Sequence, residues 1–502
     1  MASTAAILFI RNDADDIGWW IAYHLAVGFD TLIIYDDAST DGTWEVIQTA
    51  SGLFPIEAHR VTPDDRSFAE RRSACLSQAI DQASGRFDWV ICLDSDEYVC
   101  PQDAVSVPDY LDRFPNADGI TLNWSIFGSA GHVKRTREAP LSAYTQRAPL
   151  NFADHALGKT FIRPSAYTGH AIDTIHWALD PHRHVHADGT VFDPSRPPNW
   201  EGARLLHYVT RNLTRYTSRL ASCSPGQKAP DLWSHFNRND ETDHGASRFL
   251  PATRDYAARL WRAGLETLYW RLRKDITAQS LSFLPDSALT VRAHRSLTSP
   301  PELLLAQPGT PDGRILVCDL STGTLAVVPP ESQSEKQEPV WLVVETHDSG
   351  STSPEASSSG FLMLPETRGA APALGVTLTH WLPVRVTGAL TTETHALVGI
   401  SLLPEEKPIG LIETETVGII DDSTPAFCAR FRAADPVLLA RLRAYLALRG
   451  QGETLHDFCV GMDLLRHPEP DAMGCAMMHL DSAARAVLET RYAGLVPPWL
   501  YA

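Results

Sequence analysis

The first hundred residues alternate between short apolar runs and segments with helical spacing of their apolar positions. The apolar runs, typical of strands buried on both faces of a sheet, are AAILFIR, DTLIIYDD, IEAHRV and DWVICLD. Between them lie the helical segments DADDIGWWIAYHLAVG, STDGTWEVIQTA and SFAERRSACLSQAIDQA. Strand–helix–strand order with short connections predicts an α/β unit whose mostly parallel sheet is covered on both faces.

The pattern changes further along the chain. Strand-like pieces and polar loops, followed by helices, extend from 110 to 275, and near 280 short strands with Gly, Pro and Ser punctuation begin. Many short strands predict an all-β unit, and three loose blocks of roughly forty residues favour a β-trefoil, with a sandwich as second choice. Asp435-Pro436 is typical of a helix start, so a helical tail should follow. We therefore expect three regions: 1–278, 279–433 and 434–502.

Composition narrows the class of protein. The 502 residues carry a formal net charge of −18, which argues against nonspecific binding to nucleic acid or to an anionic membrane surface. The eight cysteines form no Cys-x-x-Cys pair, so free thiols in a reducing compartment are expected. The N-terminal segment lacks the pattern of a signal peptide. The sequence contains no run of about eighteen apolar residues, the length that a membrane-spanning helix requires. We expect a cytoplasmic protein without an integral membrane segment.

Acidic residues follow two of the predicted strands at their carboxyl ends, where α/β sheets bind ligands. Asp36 and Asp37 end the second strand, and Asp94, Asp96 and Glu97 follow the fourth. Asp94 and Asp96 are two residues apart and point the same way on an extended segment, which suits two carboxylates that hold one hard cation. An exposed acidic turn is the alternative for an isolated Asp-x-Asp, but the apolar strand before this one favours a metal site.

Other polar residues are candidates for a nucleotide or its diphosphate. Arg11 and Asn12 end the first strand and would contact a nucleotide there, although a surface role explains them equally well. Lys159 and Arg163 form a local basic pair for a diphosphate, or else a solvated strand face. His207 is a candidate metal or diphosphate contact, with a buried, hydrogen-bonded histidine as the alternative. The absence of G-x-G-x-x-G and Walker A sequences argues against dinucleotide or ATP binding in those modes.

A series of motifs resembles the bacterial glycosyltransferase family-2-like branch of the GT-A fold, which is related to family 92. The motifs span residues 5–245 and are FIRNDADDIGWWIAYHLAVGFDTLIIYDDASTDGT, WVICLDSDEYV, LNWSIFGSAGH, GKTFIRP and LLHYVTRNLTRYTSRLAS followed by FNRNDETD. The resemblance implies a Rossmann-like transferase domain, a nucleotide-diphosphate sugar donor, Mn²⁺ or Mg²⁺, and transfer to an acceptor hydroxyl with inversion. Asn12-Asp13 departs from the usual Asn-Glu, and the usual Lys and Arg-Gly after the His-Tyr pair are missing.

The resemblance also implies roles for single residues. The matched donor-binding positions are Asp36, Asp37, Asp94, Lys159 and His207, and the matched metal ligands are Asp94 and Asp96. Arg11 and Asn12 remain donor-binding candidates, and His207 a metal candidate, from the residues themselves. The base that accepts the proton of the acceptor hydroxyl is not fixed by the motifs. Its candidates lie where the acceptor wall is expected, and they are Asp154, Asp173 and His176.

The expected function is that of a metal-dependent glycosyltransferase in bacterial polysaccharide or glycoconjugate synthesis. Its partners would be a UDP- or GDP-sugar and a glycan or glycolipid acceptor, with peripheral attachment to the inner membrane and homo-oligomer formation left open. A nucleotidyltransferase and a non-catalytic glycan-binding protein with a degenerate transferase domain are the alternatives. The intact Asp94-Ser95-Asp96 argues against degeneration.

Overall fold

The protein is represented by a computed structural model. The residues that it describes are 1–136, 138–169, 177–221, 232–277, 302–346, 357–365, 381–388, 390, 395–403, 406–421, 426–449 and 454–497. The chain divides into two compact units, Met1–Leu260 and Trp261–Ala502. The predicted boundaries at 278/279 and 433/434 stay predictions.

The first unit is built on a mixed α/β sheet. Its strands are β1 (Thr4–Ile10), β2 (Thr31–Asp36), β3 (Ile56–Arg60), β4 (Trp89–Leu93), β5 (Glu97–Pro101), β6 (Gly119–Ile126), β8 (Gly158–Ile162), β9 (His184–His186) and β10 (Ala203–His207), while β7 (Gln146–Arg147) and β11 (Glu241–Thr242) pair separately. The helices that begin in this unit are α1 (Ile17–Ala26), α2 (Thr43–Ser51), α3 (Phe68–Ala83), α4 (Val107–Leu111), α5 (Pro140–Ala143), α6 (Leu213–Ala221), α7 (Leu232–Phe236) and α8 (Leu250–Thr277).

The strand order of this sheet creates a binding crevice. The order is β3-β2-β1-β4-β8-β6-β10-β5, with β9 beside β6. β1 pairs in parallel with both β2 and β4, so the chain winds to one side of β1 first and to its other side afterwards. Such a reversal opens a crevice beyond the carboxyl ends of the two strands. The predicted α/β sheet is confirmed, and the acidic residues after β4 lie at this reversal.

Apolar residues at nearly every position of β1 and β4 explain why these segments form a buried sheet. All seven residues of β1 are buried, and so are all five of β4. On one face, alternate residues of β1 such as Ile7 pack with Leu76 and Ile80 of α3. Ser67 is the N-cap residue of α3, and its side chain forms a reciprocal capping box with Glu70.

The second unit contains two antiparallel sheets and a group of helices. Its strands are β12 (Glu302–Ala306), β13 (Ile315–Asp319), β14 (Leu325–Val328), β15 (Gln337–Pro339), β16 (Trp341–Thr346), β17 (Ser357–Met363), β18 (Trp381–Thr387), β19 (His395–Leu402), β20 (Lys407–Leu411), β21 (Val417–Ile419), β22 (Phe427–Arg430) and β23 (Arg432–Ala433). The helices after them are α9 (Pro436–Arg441), α10 (Arg443–Arg449), α11 (Leu455–Leu464), α12 (Pro470–Met477) and α13 (Ser482–Arg491). The Asp435 carboxylate caps α9 as predicted.

The pairing of these strands bears on the predicted trefoil. Within the described residues the larger sheet follows the order β21-β20-β19-β18-β17-β16-β12-β23, and β14-β13-β15 form the smaller one. Side chains of both sheets, including Leu316, Val327, Leu342 and Val384, share one hydrophobic core. The all-β prediction is therefore confirmed, but the β-trefoil is not, because neighbouring strands form a meander rather than three repeated hairpin units. Among the described helices, none is both long and apolar enough to span a membrane.

Candidate active site

A pocket of about 970 Å³ opens beyond the carboxyl ends of β1 and β4. It is lined by the end of β1, by α3, by the loop after β4 and by the segment that follows β10. The lining residues are Phe9, Ile10, Arg11, Asn12, Asp13, Phe68, Arg72, Asp94, Ser95, Asp96, Trp124, His207, Val209, Thr210, Arg211, Arg215, Tyr216 and Phe236. The pocket therefore occupies the position that the strand reversal predicts for a ligand.

Sheet register brings distant residues to the same edge. β8 runs antiparallel to β4 and β6, so its first residues, including Lys159, lie where β4 ends. β10 runs parallel to β6, and its last residue, His207, pairs with Glu97 at the start of β5. Asp94, Asp96, Lys159 and His207, which are far apart in sequence, are thus neighbours in the fold.

The carboxylate of Asp94 is paired with two positively charged side chains. Its Oδ2 accepts a hydrogen bond from the Lys159 ammonium at 3.0 Å, and its Oδ1 accepts one from the Arg72 guanidinium at 2.9 Å. Burial within the pocket raises the pKa of Asp94, but the charges of Lys159 and Arg72 outweigh it and lower this pKa below its ordinary value. Asp94 is therefore ionised and holds two cations beside the pocket.

Glu97 lies beneath this pair. One carboxylate oxygen accepts from the Asp94 backbone N–H at 2.8 Å, and the other accepts from the Trp124 indole N–H at 2.7 Å. The Lys159 nitrogen lies 3.6 Å from Glu97, whose pKa burial raises. Burial lowers the pKa of Lys159, but the charges of Glu97 and Asp94 outweigh burial and raise this pKa above its ordinary value. The ammonium group thus stays charged between two carboxylates.

Asp96 and His207 are the residues that best fit a divalent cation. The His207 Nε2 lies 3.6 Å from the Asp96 Oδ1, and the Tyr208 backbone N–H donates to the Asp96 carbonyl at 2.9 Å. A carboxylate beside an imidazole offers two ligands, and donor phosphates would supply more. Both oxygens of Asp94 already receive hydrogen bonds from cations, so its role as a metal ligand stays a prediction. The described residues contain no group of three His, Cys, Asp or Glu side chains arranged to hold a metal by themselves.

The acidic pair after β2 is engaged by neighbouring arginines. Both oxygens of Asp37 accept from the Arg71 guanidinium at 2.7 Å, and Arg11 lies 3.7 Å away. Asp36 accepts from the Ser39 backbone N–H, while its Oδ1 is buried and has no hydrogen-bond partner in the described part of the chain. Burial raises the pKa of Asp36. Neither carboxylate lines the pocket, and their contact with a nucleoside stays a prediction.

The turn after β1 lines the pocket directly. Arg11 and Asn12 are both part of the pocket wall, and their contact with a nucleotide stays a prediction. The Asn12 side-chain oxygen accepts from the Thr40 backbone N–H at 2.9 Å, and Asn12 adopts a left-handed φ of 53°. Arg163 lies outside the pocket lining, where it donates to the Ala117 carbonyl at 2.7 Å.

Three pocket arginines were missed by reasoning from the sequence. Arg72 lies on α3, and Arg211 and Arg215 lie in the segment after β10. The arginine spacing in TRNLTR, one residue after the His-Tyr pair, was the signal available for Arg211 and Arg215. In the structure Arg211 and Arg215 both contact the carboxylate of Asp13.

The structure describes one of the three candidate bases. Asp154 lies in a short turn before β8, and its Oδ2 is 2.5 Å from the Nε2 of His235. Neither residue lines the pocket, although the adjacent Phe236 does. Asp173 and His176 lie outside the described residues.

Comparisons with known proteins bear on the first unit. Residues 26–161 match the family model described as Glycosyl transferase family 2. A glycosyltransferase family 92 protein of Oryza sativa subsp. japonica is 25% identical over 177 residues, which are 35% of this chain and 29% of the relative. A family 92 protein of Ricinus communis is 24% identical over 186 residues, covering 36% and 32% of the two chains. Each match thus spans about a third of the relative's length.

Solved structures were also compared. The structure of S. aureus TarS residues 1–349 in complex with UDP has a TM-score of 0.22 at 14% identity, over 33% of this chain and 47% of that one. The structure of S. aureus TarS has a TM-score of 0.25 at 11% identity, over 87% and 86%. The match to the family model and the two family 92 relatives confirm the resemblance to family-2-like glycosyltransferases.

Proposed function

We propose that the first unit is a glycosyltransferase that binds a nucleotide-diphosphate sugar in the pocket and transfers the sugar to an acceptor hydroxyl. The observation that carries this proposal is the Asp94-Ser95-Asp96 loop, which lies at the strand reversal among cationic side chains. The match of residues 26–161 to the glycosyltransferase model supports it.

The electrostatics of the pocket suit a diphosphate leaving group. The chain has a net charge of −18, yet Arg72 lines the pocket and Lys159 lies behind its wall, each paired with the pocket residue Asp94. Fixed cations that require no reorganisation stabilise the negative charge that develops as a sugar–phosphate bond breaks. A divalent cation, Mn²⁺ or Mg²⁺, held by Asp96 and His207 would supply further neutralisation of that charge.

The acceptor hydroxyl must lose a proton during the transfer, which requires a base near the sugar. Asp154 is the base that we propose among the described residues, because its carboxylate hydrogen-bonds to the imidazole of His235, next to the pocket residue Phe236. Asp173 and His176 remain candidates from the sequence. Inversion at the sugar, a UDP- or GDP-linked donor, a glycan or glycolipid acceptor, and a place in bacterial polysaccharide or glycoconjugate synthesis complete the proposal.

Calorimetric titration of UDP and GDP into the full chain, with and without MnCl₂, tests this function. We expect one nucleotide to bind more tightly with Mn²⁺, and the Asp96→Ala variant to lose most of this increase, at least about tenfold in affinity. Asp103→Ala is the matched control, because Asp103 is an exposed carboxylate that pairs with Arg113 outside the pocket lining. Absence of nucleotide binding under every metal condition, or equal binding by the wild type and Asp96→Ala, would contradict the proposal.

A further inference from the structure

The acidic loop 94–96 is held in place by side chains from two distant segments. The Ser95 hydroxyl donates to the carboxylate of Asp13 in the turn after β1. The Ser95 carbonyl accepts a hydrogen bond from Arg211 at 2.8 Å, 116 residues away in sequence. Both the side chain and the main chain of the residue between Asp94 and Asp96 are therefore fixed from outside the loop.

Arg211 is the centre of this arrangement. One of its nitrogens lies 3.1 Å from an oxygen of Asp13 and also contacts Asp16, while the other donates to the Ser95 carbonyl. Only 5% of its side chain is exposed, and its backbone has a φ of 48°, in the left-handed region that a residue with a side chain rarely adopts. Such strain persists only where surrounding contacts fix the residue.

A second arginine completes the charge balance. Arg215 also contacts Asp13, and its backbone N–H donates to the side-chain oxygen of Asn212 at the start of α6. Asp13 and Asp16 thus face two guanidinium groups. Burial raises the pKa of Asp13, but Arg211 and Arg215 outweigh it and lower this pKa. For Asp16, burial prevails and raises the pKa to about 6.

The same guanidinium acts on the loop's second carboxylate. Burial lowers the pKa of Arg211, but the charges of Asp13, Asp16 and Asp96 outweigh burial and raise this pKa well above its ordinary value. Asp96 is further fixed by the backbone N–H of Tyr208, three residues before Arg211. The segment after β10 therefore contacts the loop at two consecutive residues, Ser95 and Asp96.

We propose that Arg211 is a positioning residue that fixes the Ser95 main chain and thereby sets the orientation of the Asp96 carboxylate toward a bound metal–diphosphate. This inference rests on the proposed function of the pocket. A lysine at this position keeps the positive charge but loses the planar fork that reaches Asp13, Asp16 and the Ser95 carbonyl together. Arg211→Lys should therefore impair the metal-dependent part of nucleotide binding more than the metal-independent part.

A buried arginine elsewhere in the first unit provides the matched control. Arg204 is as buried as Arg211, with 4% of its side chain exposed, and forms a bidentate pair with Asp243 at 2.7 Å. It does not line the pocket. Arg204→Lys therefore reports what the loss of a buried arginine fork does to the fold alone.

The test is calorimetric titration of UDP and GDP, with and without MnCl₂, into the full-length wild type, Arg211→Lys and Arg204→Lys, together with thermal unfolding of each. We expect Arg211→Lys to bind nucleotide about tenfold more weakly in Mn²⁺ and as the wild type does without it. Arg204→Lys should keep wild-type binding in both conditions, even if its unfolding temperature falls as far as that of Arg211→Lys. Wild-type behaviour of Arg211→Lys, or an equal loss in Arg204→Lys, would overturn the positioning role and leave the proposed function standing.

Two further outcomes are distinguishable. A wild type that binds neither nucleotide would overturn the proposed function and this inference with it. Should Arg211→Lys fail to fold, Asp16→Ala replaces it, because Asp16 contacts the Arg211 guanidinium and does not line the pocket. We expect Asp16→Ala to weaken Mn²⁺-dependent binding about threefold, from the loss of one contact that holds Arg211, and unchanged binding would refute the inference.

Discussion

Replacing Lys159 by methionine should destabilise the first unit through Glu97. In the wild type the Lys159 ammonium lies 3.0 Å from an oxygen of Asp94 and 3.6 Å from Glu97. Without it, Asp94 keeps its ion pair with Arg72 at 2.9 Å, whereas the hydrogen-bond donors left to Glu97 among the described residues are the neutral N–H groups of Asp94 and Trp124. Removing one partner of a buried ion pair typically costs about 3–5 kcal/mol, and we expect a loss of unfolding free energy in this range.

The pH dependence of the loss identifies its cause. Burial already raises the pKa of Glu97, and removal of Lys159 should raise it further. A carboxyl whose pKa is higher in the folded state stabilises the fold at low pH, and this contribution is lost as pH rises through the folded pKa. The difference between Lys159→Met and the wild type should therefore be smaller at about pH 5.5 than at about pH 7.5.

The assay must follow the first unit alone, because the chain contains two compact units. A urea titration in which hydrogen exchange of peptides covering β8 reports unfolding meets this requirement. The double variant Lys159→Met/Glu97→Gln is the control, since it removes the unpaired charge; it should regain much of the stability and lose the pH dependence. A loss below about 1 kcal/mol, or a loss independent of pH, would refute the reasoning.

Two further predictions concern stability. Burial raises the pKa of Glu345, but the charge of Arg449, whose nitrogens lie 2.9 and 3.0 Å from the carboxylate oxygens, outweighs burial and lowers this pKa from 4.5 to about 2. The second unit should therefore lose about 3 kcal/mol of stability as pH falls from about 4.5 to about 2. Glu345→Gln should abolish this dependence in acid-unfolding curves. Gly158→Ala would place a Cβ 1.8 Å from the Leu122 carbonyl oxygen between β6 and β8, whereas a Cβ at Gly52 would lie 3.5 Å from its nearest atom. We expect Gly158→Ala to lower the unfolding free energy by at least about 2 kcal/mol and Gly52→Ala to lower it by less than about 1 kcal/mol in thermal unfolding. Equal losses would contradict this.

The central strands could be predicted from the sequence because their signal is local. The runs AAILFIR, DTLIIYDD and DWVICLD correspond to β1 (Thr4–Ile10), β2 (Thr31–Asp36) and β4 (Trp89–Leu93). A parallel strand covered on both faces is apolar at every position, so neighbouring residues alone reveal it. The position of Asp94 and Asp96 at a carboxyl end followed directly from the end of such a run.

The partners of these acids could not be predicted in the same way. Asp94 pairs with Lys159, 65 residues away, because β8 is antiparallel to β4, and the direction of β8 is decided by pairing across the whole sheet. Arg211 contacts Asp13 from 198 residues away. The order of the short strands in the second unit posed the same difficulty, since alternation of polar and apolar residues predicts a strand but not its neighbour. The trefoil rested on three loose blocks of similar length, each interpreted as a hairpin followed by an aromatic-containing strand.

The three carboxylates that follow the buried strand β4, Asp94, Asp96 and Glu97, have different partners. Asp94 and Glu97 enclose Lys159, and Asp94 also holds Arg72. Because Arg72 lines the pocket and is fixed by Asp94, an incoming diphosphate would meet its guanidinium group beside the carboxylate, and the cost of burying each acid is offset by its partner. Asp96 has a different environment, since its carboxylate lies beside the imidazole of His207. We infer that the acids have different roles: Asp94 and Glu97 fix cationic side chains, and Asp96, beside His207, would contact a metal.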